Sequence, residues 1–251
     1  MRLGYRVYGA AAIALGIIGL AWADFASVWQ PVPEHLPRRE MLAYLVAATE
    51  LTSGLALLWR RTAPSGALTL AILFAIGVAL LQIPKVFAHP LSPGSWGGVA
   101  EQSALVVGGL LACAMTAAIE SVALHRACWV LFGLCCLVFG MEHFSYENET
   151  AAMVPKYLPY GQVFWARLTG TAHIAAGLGI LSGIRARLAA QMLTAMFLAF
   201  QVLVHIPTLL HDPSTHFSWT INAVNLALVG AAWIVADSLR GRSVWGVREM
   251  A

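Results

Sequence analysis

The chain carries only twelve acidic side chains and eight histidines, and those best placed to do chemistry sit in apolar surroundings. Glu50 and His173 are the clearest. Each lies deep within an apolar run and each precedes a glycine by four positions, Gly54 and Gly177, so on a helix the polar group and the glycine share one face. An ionisable group at bilayer depth costs at least ~2.5 kcal/mol on insertion scales and needs a partner or a cavity. Two uses fit: an interhelical hydrogen bond beside small residues, or proton exchange with a ligand. We assign Glu50 and His173 the second, catalytic role.

A second group gathers near one set of span ends. Glu142 and His143 close the fifth apolar run, Arg167 stands about one turn inside the sixth, His205 ends the seventh and Glu101 begins the fourth. Of the eight histidines, six lie at or beyond these ends, with His173 buried and His125 at the opposite side. The asymmetry implies a polar pocket opening at that side. Arg167, Glu142 and Glu101 are its expected ligand-binding residues, the guanidinium fork suiting an anion or a quinone carbonyl or else pairing with Glu142 or an outer carbonyl. His143 and His205 match in depth and are the expected metal pair, for copper, zinc or haem iron. Helical rise puts His173 roughly 10–15 Å deeper than that pair. Quinone, haem and copper all stay open as cofactors.

The elements that must position these groups are spans. Hydrophobic residues make up 59% and charged residues 11%, with a mean hydropathy of +0.74, whereas a soluble domain carries roughly 25% charged residues. Apolar stretches near the ~20 residues needed to cross a bilayer fall at 7–23, 41–59, 66–83, 98–118, 127–141, 162–182, 188–206 and 220–236. Prolines punctuate the connectors. Residues 1–23 have the outline of a signal peptide, ending Ala21-Trp22-Ala23, yet the repeat described next needs them as a first helix. Trp29, Trp96, Trp165 and Trp219 read as an interfacial belt. The four cysteines show no C-x-x-C and read as core residues. No basic run with interleaved aromatics points to nucleic acid, and no nucleotide-binding, zinc-protease or nucleophile-elbow motif is present.

With the N-terminus inside, inner segments hold Arg2, Arg6, Arg60, Arg61, Arg126, Arg185, Arg187, Arg240, Arg242 and Arg248, and outer loops hold Arg38, Arg39, Lys85 and Lys156. This bias puts both termini in the cytoplasm. The chain also repeats. Val32-Pro33 with Leu36-Pro37 matches Val154-Pro155 with Leu158-Pro159; beyond them one shift of 123 pairs Gly54-Leu55 with Gly177-Leu178, Ile83-Pro84 with Ile206-Pro207, Pro90 with Pro213 and Trp96 with Trp219. The expected fold is an all-α transmembrane eight-helix bundle made of two parallel four-helix repeats, residues 1–120 and 121–251.

The second half resembles the DoxX-like family of four-helix membrane proteins. The matching residues are Val154-Pro155, Leu158-Pro159, Trp165-Ala166-Arg167-Leu168-Thr169-Gly170, His173, Gly177-Leu178-Gly179 and Gly140-Met141-Glu142-His143-Phe144. The first half is similar but keeps less, retaining Glu50 and Gly54. The resemblance implies a bacterial-type inner-membrane protein in a redox-linked role, with a redox protein partner besides the lipid bilayer. The expected function is to hold a small ligand such as a quinone in the outward-facing pocket. A small-solute or proton-coupled transporter and a non-catalytic assembly subunit are the alternatives that the residues leave standing, and no motif names a reaction.

Overall fold

The computed structural model describes residues 3–245. Arg2 and Arg248, two of the arginines used above for orientation, lie outside the described residues. Among those described there are nine helices and no strand, in keeping with the all-helical expectation. They are α1 (Leu3–Trp22), α2 (Arg39–Leu58), α3 (Ala63–Ala88), α4 (Pro93–Thr116), α5 (Val122–Ser145), α6 (Glu147–Met153), α7 (Gln162–Ser182), α8 (Ala186–His211) and α9 (His216–Ser238). Seven of them, all but α6 and α7, are long and apolar enough to cross a membrane. Helix α7 has 21 residues, a spanning length, but carries Arg167 and His173. The short α6 was not expected. Its sequence, Glu147 to Met153, is too polar to read as a span.

Helix ends reach further than the apolar runs suggest. Helix α5 continues to Ser145 rather than stopping near Met141, and α8 continues to His211. Both α3 and α8 contain a π turn, Val78–Gln82 and Gln201–His205, each followed at once by Ile-Pro. The cause is local. Pro84 and Pro207 lack an N–H and their rings crowd the carbonyl four residues back, so the helix widens just before them. The Ile83 N–H reaches Val78 O, and the Ile206 N–H reaches Gln201 O. A wider turn re-aims the side chains within it.

Helices approach closely where glycines meet. A Cβ on Gly54 would lie 2.7 Å from Gly9 O, and one on Gly177 2.8 Å from Gly133 O. Gly16 sits against the backbone of Ala47 and Leu51 in α2, and Gly140 against that of Gly170 and Ile174 in α7. The α1–α2 and α5–α7 crossings thus use the same small-residue device. Tyr8, 1% exposed, donates its hydroxyl to Leu105 O at 2.7 Å and ties α1 to α4. Helix α1 is therefore packed into the bundle. The cysteines are free, with Cys128, Cys135 and Cys136 buried as expected.

Three helix starts repeat one corner. Trp96, Trp165 and Trp219 each donate their indole N–H to the carbonyl of a proline six residues earlier, Pro90, Pro159 and Pro213, at 2.9, 2.7 and 2.8 Å. Trp29 behaves differently from this belt. The connection from α1 to α2 turns back into the bundle, burying Phe25, Ala26, Trp29 and Gln30.

Candidate functional site

A cavity of about 720 Å³ lies among α4, α5, α7, α8 and α9. Of the residues expected to work together, it brings five to its wall: Glu101, Glu142, His143, His173 and His205. Its volume falls in the range of small-molecule sites, and its largely apolar wall with a few polar groups has the composition of such a site.

The deepest polar group is His173, 1% exposed. Its ring stands 5.0 Å from that of His143 and 5.5 Å from each of Phe139 and Phe197. The expected depth difference between His143 and His173 is corrected here. Because α5 runs on to Ser145, His143 lies inside the helix and comes level with His173. His143 Nδ1 pairs with Phe139 O, one turn back, at 2.8 Å, which leaves Nε2 for other partners. Beside His143, then, stands the imidazole of His173, and His205 lies on the wall of the same cavity. Among the described residues no three or more His, Cys, Asp or Glu side chains come together in a group that could hold a metal ion.

His205 ends the π turn of α8, and its backbone carbonyl accepts from Asn222 Nδ2. The same turn starts at Gln201, whose amide donates to Asn222 Oδ1 at 2.5 Å and accepts from Asn225 Nδ2 at 2.7 Å. Asn225 Nδ2 donates also to Phe197 O at 3.1 Å. This ladder of amides ties α8 to α9 and fixes the turn that carries His205.

Glu142 lies across the α4–α5 contact, its carboxylate against Gly97, one turn before Glu101. Only a glycine leaves room there. One turn on, Tyr146 Oη accepts from the Gly94 N–H at 3.1 Å. Both carboxylates border the cavity, so the wall carries acidic groups and imidazoles but no lysine or arginine.

Two expected residues stand elsewhere. Arg167 is not in the cavity. Its side chain is 62% exposed and forks onto Glu147 of α6 at 2.5 and 3.1 Å, and the carboxyl of Glu147 is held below the usual carboxylate range by that hydrogen bond. The expected partner Glu142 faces the other way, toward α4. Glu50 is buried, 3% exposed, and accepts from Gln30 Nε2 at 3.2 Å. It borders a separate space of about 10 Å³, room for roughly one water. Glu50 therefore stands apart from the cavity that His173 and Glu101 share.

Reading the sequence missed Trp29, Thr220 and the aromatic wall. Trp29 is 6% exposed, so it is not a belt residue. Its carbonyl accepts from Gln82 Nε2 at 2.9 Å and Gln102 Nε2 at 2.8 Å, and its ring meets Phe74 edge-on at 5.5 Å. It also borders the large cavity. Four buried atoms on residues of that wall have no hydrogen-bond partner: Trp29 Nε1, His173 Nδ1, His205 Nδ1 and Thr220 Oγ1. Buried polar groups are paired as a rule; five further unpaired atoms, among them Gln82 Oε1 and His125 Nε2, lie on residues outside that wall. The available signal was the pair of glutamines inside apolar spans, which need a buried acceptor.

A family model described as Domain of unknown function (DUF8561) matches residues 132–236. The match takes in Glu142, His143, Arg167, His173 and His205 and leaves out Glu50 and Glu101. No curated protein matches the chain. No solved structure matches it either.

Proposed function

We propose that the chain is a polytopic inner-membrane protein of two parallel four-helix repeats, and that its second half holds a small quinone-type ligand in a redox-linked role. The observation that carries this reading is the cavity of about 720 Å³, whose aromatic wall holds four unpartnered polar atoms and two carboxyl side chains. A flat, mostly apolar molecule with oxygen atoms at its edge suits that wall. His173, backed by His143, is the group to hold or pass a proton beside the ligand, and Glu101 and Glu142 lie where a proton would be exchanged along the wall. Arg167 has a different part in this reading: with Glu147 it ties α6 to α7.

The two-repeat organisation gains support from pairs of features 123 residues apart. These are the π turns at 78–82 and 201–205, the Trp–Pro corners at 96 and 219, and the Gly54 and Gly177 crossings. The excess of arginines at the far end of the bundle supports cytoplasmic termini. The likeness to DoxX-like proteins supports a redox protein as partner, which would supply or accept the electrons.

The test is to purify the full chain in mild detergent, record its visible spectrum and metal content, and extract its lipids. The expected result is about one quinone per chain. A chain free of quinone that instead drives pH-dependent solute uptake into liposomes would overturn the redox reading in favour of transport.

A further inference from the structure

The first half of the chain fills the space that the second half leaves open, and the filling segment indicates what the open space takes. Residues 24–30 turn into the bundle and present a carbonyl, that of Trp29, to two side-chain amides, Gln82 and Gln102, while the indole ring rests on the edge of Phe74. The residues 123 positions after Gln82, Gln102 and Phe74 are His205, Asn225 and Phe197, and all three border the large cavity. The matching connection of the second half, ahead of Val154-Pro155, is coiled into α6, which borders the cavity only through Thr150 and Met153. On one side residues 24–30 thus bring a carbonyl and a ring into the space between the helices, whereas on the other the connecting segment is coiled away into α6.

The donors around the open space differ in availability. Both N–H groups of Asn225 are committed, to Phe197 O and Gln201 Oε1. His205 Nδ1 has no partner, and neither does Trp29 Nε1. An indole N–H can only donate, so whatever satisfies Trp29 must bring an acceptor. Phe139, Phe197 and Phe200 surround the imidazole of His173 with ring contacts of 5.5 to 6.3 Å, a wall suited to the face or edge of another ring.

Resting on the quinone-type reading above, we propose that the ligand is a planar ring with carbonyl oxygens which takes, in the second half, the part that Trp29 plays in the first. Its ring lies in the Phe139–Phe197–Phe200 wall, and its carbonyl oxygens accept from His205 and from the Trp29 indole N–H.

Equilibrium dialysis of the detergent-solubilised full chain tests this with three probes: duroquinone, durene (the same methylated ring without oxygen) and acetophenone (a redox-inert aromatic ketone). The expected result is duroquinone at least about tenfold tighter than durene, the advantage falling about fivefold in His205→Phe and in Trp29→Phe, as expected for losing one net hydrogen bond. Durene binding stays unchanged in both. Each variant keeps an aromatic ring at its position and removes the unpartnered nitrogen, and thermal unfolding in detergent checks that each folds as the wild type does. Duroquinone binding that neither variant moves overturns the proposed contacts while the quinone reading stands. Acetophenone that binds with the same two dependences, where duroquinone does not bind, keeps the contacts and overturns the quinone reading. Binding of none of the three overturns both.

Discussion

On the two-repeat organisation proposed above, the two halves of the bundle put matching features to opposite ends. In the first, Glu50 lies behind a plug of the chain's own residues, Phe25 to Gln30, and about 10 Å³ remains. In the second, His173 stands at the position 123 residues on and faces a wall enclosing about 720 Å³. Small residues make the difference. Gly77 and Gly98 leave room for the side chains of Gln102 and Gln82, which hold the plug; 123 residues on, Phe200 and Ile221 stand in their places and line the cavity instead. In the first half a buried polar group is thus met by chain that folds back on it, and the ligand-binding proposal gives that part in the second half to a molecule from outside.

The largest effect is expected where the halves agree. A Cβ on Gly16 would lie 2.5 Å from Leu51 N, and one on Gly140 2.8 Å from Gly170 O, backbone atoms that cannot step aside. Gly16→Leu and Gly140→Leu should each cost about 3 kcal/mol from overpacking, seen as loss of monodisperse folded protein in detergent. Sensitivity at one site alone would break the idea of a shared scaffold.

Next come the substitutions that should separate the halves. Ala43, 1% exposed, borders the small space, while Ala172 borders the large cavity. Ala43→Phe should destabilise by roughly 1–3 kcal/mol. Ala172→Phe should be neutral or stabilising by up to about 1 kcal/mol, as cavity filling commonly is, and should abolish ligand binding. Thermal unfolding together with duroquinone dialysis reads both. Equal destabilisation would mean that the second-half cavity is not open space.

A smaller effect should follow from loosening the plug. Gln102→Leu removes one of the two amides on the Trp29 carbonyl, a loss of about 1 kcal/mol, and should raise amide exchange at residues 25–30 without changing that of α6.

The smallest concerns Arg167 and Glu147. The Arg167 hydrogen bond holds the Glu147 carboxyl below its ordinary value, so the pair's contribution is full above the ordinary carboxylate pKa of about 4.3 and is lost as pH falls through the depressed one. Glu147→Gln should therefore lower Tm slightly at neutral pH, with the gap to wild type closing in acid. A gap that widens in acid would contradict the pairing.

Much of this arrangement was legible in the residues. Eight apolar runs and their prolines forecast the long helices, and the gathering of polar groups at one set of span ends picked out Glu101, Glu142, His143 and His205, which share a cavity with the buried His173. Depth was read less well. The apolar count stops near Met141 because Glu142 and His143 interrupt it, yet intrahelical hydrogen bonding carries α5 through Ser145 and brings His143 beside His173. Arg167 looked like a pocket residue because it lies one turn inside a span; its long stem instead lets the guanidinium reach Glu147, on a helix too short and polar to be foreseen. Trp29 was not legible from its own neighbourhood, since a tryptophan near a span end usually marks an interface. What fixes it are Gln82 and Gln102, 53 and 73 residues away, and a single sequence does not announce such long-range pairing.

The most direct test of the central contrast is a structure of the full chain in lipid nanodiscs, isolated from its native membrane without added ligand. Density is expected for one compact ring-bearing molecule against Phe197 and His205, and none between Gln30 and Glu50 beyond a single water. A second-half cavity collapsed onto itself, or equivalent molecules in both halves, would contradict it.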